Sequence, residues 1–414
     1  MTEFGQFSVD SSVFNCGSTA DSWESMKAVF TEKGLRVIDP KESDFAIVRY
    51  DRARGKLEPD SVWLRSVVFN KNTLRVVCVA PPRATEFSNE AWPDMKDMDV
   101  QDFIDGTMMN LFWTEDHEVQ VVTRSRLGAD NNFYGQISFV DMLKEAVALY
   151  MNGNPTFKGE LNDLKPSNKG VSQFISVVLQ HPANRVVTEV LKPRITVVHS
   201  GWVDTDGVVH VTENMDLLPE HLAKLAPAKF SIPSENLVSL VALADYVDKQ
   251  GESLGHMWQG YTLKNGAGVR YRIRNNLYVQ VRSLRGNESD STLRFCRLRR
   301  ERNTKRYLKF YPEDESVFYK FEGVLRVSTR KLIELYTATF KFKKQAFHEL
   351  PWPYKHHVSV LHNEYKDTLK ALKKTVDIAY VIEYMNALKP DDMCNFFKEP
   401  KPKRVVAPAV ASTA

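Results

Sequence analysis

The spacing of apolar residues changes along this chain, and that change limits its fold more than any other feature. Over roughly the first 325 residues, short β-rich runs alternate with amphipathic stretches; beyond that point apolar residues recur every three or four positions with few strand signals. Two runs, Arg65–Phe69 and Leu74–Val79, are joined by Asn70-Lys71-Asn72-Thr73 and read as a hairpin ended by Pro81-Pro82. Strand runs follow at Gly106–Trp113 and Val119–Arg124, with Thr114-Glu115-Asp116-His117 as the polar turn between them. Ile195–His199 and Val208–Val211 flank Asp204-Thr205-Asp206-Gly207, a second hairpin signal. Runs joined so tightly can only pair antiparallel.

Helical spacing marks Asp21–Gly34 and Ser138–Met151. The second has Ser138 as N-cap, Asp141 in a capping-box-like position and Asn152-Gly153-Asn154-Pro155 as its stop. Ser234–Gln250 reads as a helix closed by Gly251. Ser328–Lys344 and His356–Leu388 carry the helical C-terminal part. The expected class is therefore α+β, with antiparallel sheets over residues 1–282, a mainly helical domain over 283–397 and a basic Ala/Pro tail, 398–414, expected to be disordered. No internal repeat of solenoid length is present. The 414 residues, 43% hydrophobic and 26% charged, suffice for two domains with a sizeable core. No run is long and apolar enough for a membrane span, no basic-then-apolar leader opens the chain, and the four cysteines lack zinc spacing. These features point to an intracellular, reducing setting without membrane or metal.

The net charge of +4 conceals an uneven distribution. Lys264–Lys309 holds 14 bases and three acids, which is +11 and leaves −7 for the remainder. Within it, Val269-Arg270-Tyr271-Arg272-Ile273-Arg274 alternates strictly, so in a strand the three arginines share one face and the apolar residues the other. Guanidinium groups spaced in this way match phosphates. Tyr278, Phe295, Tyr307, Phe310 and Tyr311 interleave with the bases as candidate stacking surfaces for a nucleic acid. Arg270, Arg282, Arg285, Arg297, Arg299 and Arg300 are the candidate nucleic-acid contacts, with RNA ahead of DNA as partner.

Asp102-Phe103-Ile104-Asp105-Gly106-Thr107 followed by Thr123-Arg124-Ser125 resembles the opening of the phage-type RNA ligases, within the covalent nucleotidyltransferases. The later pieces come in the family's order. Val177–Val187 is similar to its Phe-Glu-Phe-Val-x-Pro-x-Asn-Arg-Ile-Val segment, Gln259-Gly260-Tyr261-Thr262 to its Glu-Gly-Tyr-Val motif, and Arg272-Ile273-Arg274 to its Lys-x-Lys. Upstream, Leu64–Asn70 and Ala80-Pro81-Pro82-Arg83 resemble the segment before its nucleophile. The likeness spans roughly residues 60–280 and extends to ligase-like proteins of large DNA viruses. It implies a nucleotidyltransferase, ATP-grasp-like ligase core, ATP or GTP with magnesium as cofactor, and Asp105, Gly106, Arg124, Arg272 and Arg274 as nucleotide-binding residues. It also implies a host-cytoplasmic or virion location.

The departures from the family fall on its chemistry. The family lysine that attacks the α-phosphate is Phe103 here, and its two glutamates are Val178 and Gln259. A phenyl ring has no lone pair with which to form a phosphoramide. The expectation is a pseudoenzyme that binds nucleotide or nucleic acid without a lysyl adduct. Two alternatives stand beside it. One is an active RNA ligase or capping-type guanylyltransferase with a displaced nucleophile, Lys96 ahead of Lys71. The other is a non-catalytic viral structural or assembly protein using its helical C-terminal domain for protein contacts.

Overall fold

The computed structural model describes residues 5–51, 62–87, 92–95, 98–151, 158–166 and 169–398. Lys96, the Asn152–Pro155 stop and all of the tail beyond residue 398 lie outside them. The chain divides into two compact units between Ser283 and Leu284. No helix of the described residues is long and apolar enough to cross a membrane.

The first unit is built from three sheets. Its strands are β1 (Gln6–Val9), β2 (Leu35–Ile38), β3 (Phe45–Tyr50), β4 (Val67–Asn70), β5 (Val76–Val79), β6 (Thr85–Glu86), β7 (Asp99–Asp102), β8 (Thr107–Thr114), β9 (Gln120–Thr123), β10 (Ser172–Gln180), β11 (Arg194–Val203), β12 (Val209–Thr212), β13 (Lys229–Phe230), β14 (Gly260–Lys264) and β15 (Arg270–Arg274). They order as β1-β12-β11-β10-β8-β9, as β13-β7-β14-β15-β6 and as β2-β3-β4-β5. All pairings are antiparallel except β15 with β6. The β4–β5 and β11–β12 hairpins follow from their turns: Asp204 Oδ1 accepts from the amides of Asp206 and Val208, and Gly207 takes a φ of 86°.

The six-stranded sheet is covered on both sides, which is why every residue of β10 is buried. Leu111, Ile175, Val177 and Leu179 face the helix Phe139–Met151, whose Leu143, Ala146 and Val147 complete that core. Ser138 caps this helix: its Oγ accepts from the Asp141 amide at 3.2 Å and donates to the Asp141 carboxylate at 2.6 Å. On the other side, Phe112 and Phe174 pack with Phe45, Val68 and Phe69 of the four-stranded sheet and with Phe30 of the helix Trp23–Glu32. The four-stranded sheet covers only part of that face. Farther along β8 and β10 the same face presents Asn110, Met108 and Val178, which line a cleft.

The five-stranded sheet has one apolar and one polar face. Val100, Tyr261, Leu263 and Ile273 pack on Leu243 and Val247 of the helix Leu240–Leu254, while Gln101, Thr262, Arg272 and Arg274 line the cleft. This helix begins at the Ser239 cap and ends at Gly255, φ 76°, five and four residues beyond the boundaries expected at Ser234 and Gly251. Ser234–Asn236 forms only a short 3-10 turn. Gly251 sits inside the helix because a Cβ there would meet Asn275 Oδ1 at 2.4 Å.

Among its described residues the second unit has helices and no strand. Its main helices are Ser291–Arg300, Glu315–Tyr336, Tyr354–Glu364 and Ile378–Ala387. The second and third each end in a widened π turn closed by a lysine of positive φ, Lys343 and Lys373. The run expected over His356–Leu388 is thus two helices broken at 370–377.

The aromatics expected to stack on bases are largely core: Tyr278, Phe295, Tyr307 and Tyr311 are all buried. Three arginines expected as nucleic-acid contacts stand in ion pairs of the second unit. Arg285, 5% exposed, donates to Tyr307 and Asp314. Arg297 pairs with Glu288 at 2.8 Å and Glu301 at 3.1 Å, and Arg299 pairs with Glu322. Acids distant in sequence, Asp314 and Glu322, offset part of the charge of a segment that looked unbalanced over its own length. Arg300, in the last turn of its helix, is exposed.

Candidate functional site

The peptide Phe103-Ile104-Asp105-Gly106 runs from β7 in the five-stranded sheet to β8 in the six-stranded sheet, and a cleft of about 530 Å³ opens beside it. Gly106 is required by packing: a Cβ there would lie 2.5 Å from the carbonyl oxygen of Leu179 on β10. Asp105 is 7% exposed, and both of its oxygens are engaged. Oδ2 accepts from the amides of Val187 and Thr188, each at 2.9 Å, and Oδ1 accepts from the Tyr278 hydroxyl at 2.7 Å. Burial, reinforced by the Asp105 carboxylate, pushes the Tyr278 phenol well above its ordinary range, so it remains a donor. Asp105 therefore braces the crossing peptide against the segment after β10 and the helix Asn276–Arg285.

Eight bases and two acids line the cleft. Arg272 and Arg274 come from β15, paired to Thr262 and Gly260 of β14. The Arg274 guanidinium lies over the Phe103 ring at 5.4 Å, so this ring supports a cation. Arg124, at the end of β9, lies over the Tyr50 ring at 4.8 Å, and Arg282 donates to the Tyr134 hydroxyl at 3.4 Å. Arg65 and Arg83 complete this set. The second acid, Asp102, accepts from the Trp258 indole at 3.0 Å, and burial raises its pKa.

The remaining two bases, Lys264 and Arg270, form the buried end of the cleft. They are cross-strand partners, and like charges directly opposed repel. Glu213, 2% exposed, resolves the conflict: Oε2 pairs with Lys264 at 3.1 Å and with Arg270, while Oε1 accepts from His199 Nδ1 at 2.7 Å. Both bases also donate to the Val198 carbonyl. Burial pushes the Lys264 ammonium down to about 8, with Arg270 adding to the fall and Glu213 opposing it. Against the cost of its own burial, Arg270 and Lys264 hold the Glu213 carboxyl well below its usual range. Arg270, read from sequence as a nucleic-acid contact on the strand's charged face, is thus a buried partner of Glu213, because that face turns into the cleft rather than to solvent.

The structure brings Asp105, Gly106, Arg124, Arg272, Arg274 and Arg282 to one cleft. It places Arg285, Arg297, Arg299 and Arg300 in the other unit. Sequence reasoning missed Lys264 and Glu213. Lys264 was within reach, since the strand alternation that selects Arg272 also selects its neighbours across β14. Glu213 carried no local signal. His181 and Asn184 act as loop anchors: His181 Nδ1 accepts from the Ala183 amide, and Asn184 donates to Thr107 Oγ1 at 3.0 Å.

Val178 and Gln259 both line the cleft. Among the described residues no group of three or more His, Cys, Asp or Glu side chains could hold a metal. The donor set does not suit a divalent cation; the cationic set suits phosphate oxygens.

No protein-family model matches the chain, and no curated protein sequence matches it. Among solved structures it is similar to an archaeal ATP-dependent RNA ligase in two forms. Form 1 gives a TM-score of 0.37 at 12% identity over 72% of this chain and 70% of that one. Form 2 gives 0.38 at 13% identity over 66% of this chain and 64% of that one.

Proposed function

We propose that the first unit is an RNA ligase-like nucleotidyltransferase domain whose cleft binds the phosphates of a nucleotide or of an RNA end without forming a lysyl-nucleotide adduct. The observation that carries this reading is the cleft lining, eight bases against two acids that are both engaged in hydrogen bonds, with a phenyl ring where the family lysine stands. Arg272, Arg274, Arg124 and Arg282 are the phosphate contacts. Asp105 and Gly106 shape the wall that carries them.

The experiment pairs binding with chemistry. Full-length protein is expected to retain 5′-phosphorylated RNA or ATP saturably at low salt, with at least about tenfold weaker binding after Arg272→Gln and Arg274→Gln together, the loss of charge-assisted contacts. Incubation with α-labelled ATP or GTP and Mg²⁺ or Mn²⁺ is expected to leave the protein unlabelled. Absence of any binding at low salt would sink the reading.

A second reading, an active ligase or guanylyltransferase with a displaced lysine, has one observation in its favour: Lys264 lines the cleft with its ammonium lowered to about 8. Its Nζ stands on Glu213, and its side chain is 4% exposed. A labelled protein band that disappears in Lys264→Ala or Lys96→Ala, with folding intact, would establish that reading in place of the first.

A further inference from the structure

The residues of the cleft disagree with the metal that the sequence resemblance implies. Magnesium takes hard oxygen ligands in near-octahedral geometry, and protein sites offer it carboxylates alongside substrate phosphates. Val178 offers no oxygen and Gln259 only a neutral amide. Of the two carboxylates present, Asp105 spends both oxygens on Val187, Thr188 and Tyr278, and Asp102 accepts from Trp258. A magnesium ion carried in on a polyphosphate would enter a field of guanidinium groups, with two carboxylates in the lining that both already accept hydrogen bonds.

The same field suits the ligand stripped of its metal. Magnesium cancels two negative charges of a polyphosphate and occupies the oxygens that guanidinium forks would otherwise bind. Arg272 and Arg274 project from one strand onto the cleft, each rooted in a sheet rather than a loop. Cation–ring contacts with Phe103 and Tyr50, which line the cleft themselves, hold Arg274 and Arg124 in it before a ligand arrives.

We infer that the cleft takes a nucleoside polyphosphate as the metal-free anion, its arginines standing in for the divalent ion, so that magnesium competes with the protein for the ligand. The inference rests on the phosphate-binding reading above and gives it a sign that the two can be told apart by.

Titration of full-length protein with ATP by calorimetry tests it, once in EDTA and once in excess magnesium chloride at matched ionic strength. The dissociation constant is expected to be about tenfold weaker in magnesium, the size of one lost charge-assisted contact. Inorganic tripolyphosphate in EDTA is expected to displace ATP, and adenosine is not. Equal or tighter binding in magnesium overturns the inference and leaves the phosphate-binding reading standing. Displacement by adenosine but not by tripolyphosphate overturns it too, since recognition would then lie with the base. No ATP binding in either buffer removes both.

Discussion

Glu213 decides whether β14, β15 and β11 can meet, because it is the acid between two buried bases. Replacing it by Gln keeps the shape and removes the charge, which leaves Lys264 and Arg270 opposed without a counter-ion. Breaking a buried pair on one side costs about 3–5 kcal/mol, so Glu213→Gln is expected to lower the unfolding free energy in urea by that order. A change under about 1 kcal/mol would mean that water reaches the cluster. His199 makes the same cluster sensitive to pH. Burial depresses its pKa despite the hydrogen bond to Glu213, so it folds neutral and takes up a proton when unfolded. Across the window below the ordinary histidine value of about 6.5 the unfolded chain binds more protons, so stability falls as pH falls. Glu213 adds a second loss below about 4.3, where its unfolded carboxyl protonates before the folded one does. Urea unfolding between pH 7 and 5 is expected to show stability declining by up to about 1.4 kcal/mol per pH unit from this one proton, with a shallower decline in His199→Asn. An unchanged slope in that variant would assign the effect elsewhere.

At the level of elements, the helix Leu240–Leu254 shows what a one-dimensional reading misses. A glycine in a helical run reads as a stop, yet Gly251 lies inside and Gly255 closes the helix. The reason for Gly251 is tertiary. Asn275 donates to the carbonyls of Gly255 and Trp258 and accepts from the Leu277 amide, tying the end of this helix to the start of β14 and to the helix Asn276–Arg285, and it needs the space a side chain at 251 would fill. Gly251→Val is therefore expected to cost about 1–3 kcal/mol by overpacking, more than the few tenths that better helix propensity returns; the urea midpoint measures it, and an unchanged or raised midpoint would refute the packing account. The same distinction sorts the rest of the fold. The hairpins at Val67–Val79 and Arg194–Thr212, and the helices at Trp23 and Phe139, were legible because their turns and caps are local. The two-residue edge strands β6 and β13 were not, since nothing in two residues has a period. In the cleft, the alternating arginines and the Asp-Gly crossing could be read, whereas the His199–Glu213–Lys264–Arg270 cluster draws on separate parts of the chain.

Over the whole molecule, the +11 of Lys264–Lys309 is spent in two different ways. Its first part, through Arg282, turns inward to one cleft, where Glu213 neutralises only part of it. Of the nine bases in its second part, from Arg285, four are paired within the helical unit: Arg285 and Arg294 with Asp314, Arg297 with Glu288 and Arg299 with Glu322. Polyanion affinity and helical stability should therefore respond to different arginines, although sequence places them side by side. Each phosphate contact to a single strand contributes about 0.7 to the slope of log K against log salt. Arg272→Gln with Arg274→Gln is expected to reduce that slope for single-stranded RNA by about 1.4, with thermal unfolding of the helical unit unmoved. Arg299→Gln, which strands Glu322 and loses Asn386, should leave the slope intact and destabilise by about 1 kcal/mol, a modest value because the pair is partly exposed. Filter retention of end-labelled RNA over a series of salt concentrations reads the slopes, and a thermal scan reads the stabilities. If Arg299→Gln flattened the salt dependence and the cleft pair did not, the phosphate contacts would belong to the helices and the cleft would lose its assignment.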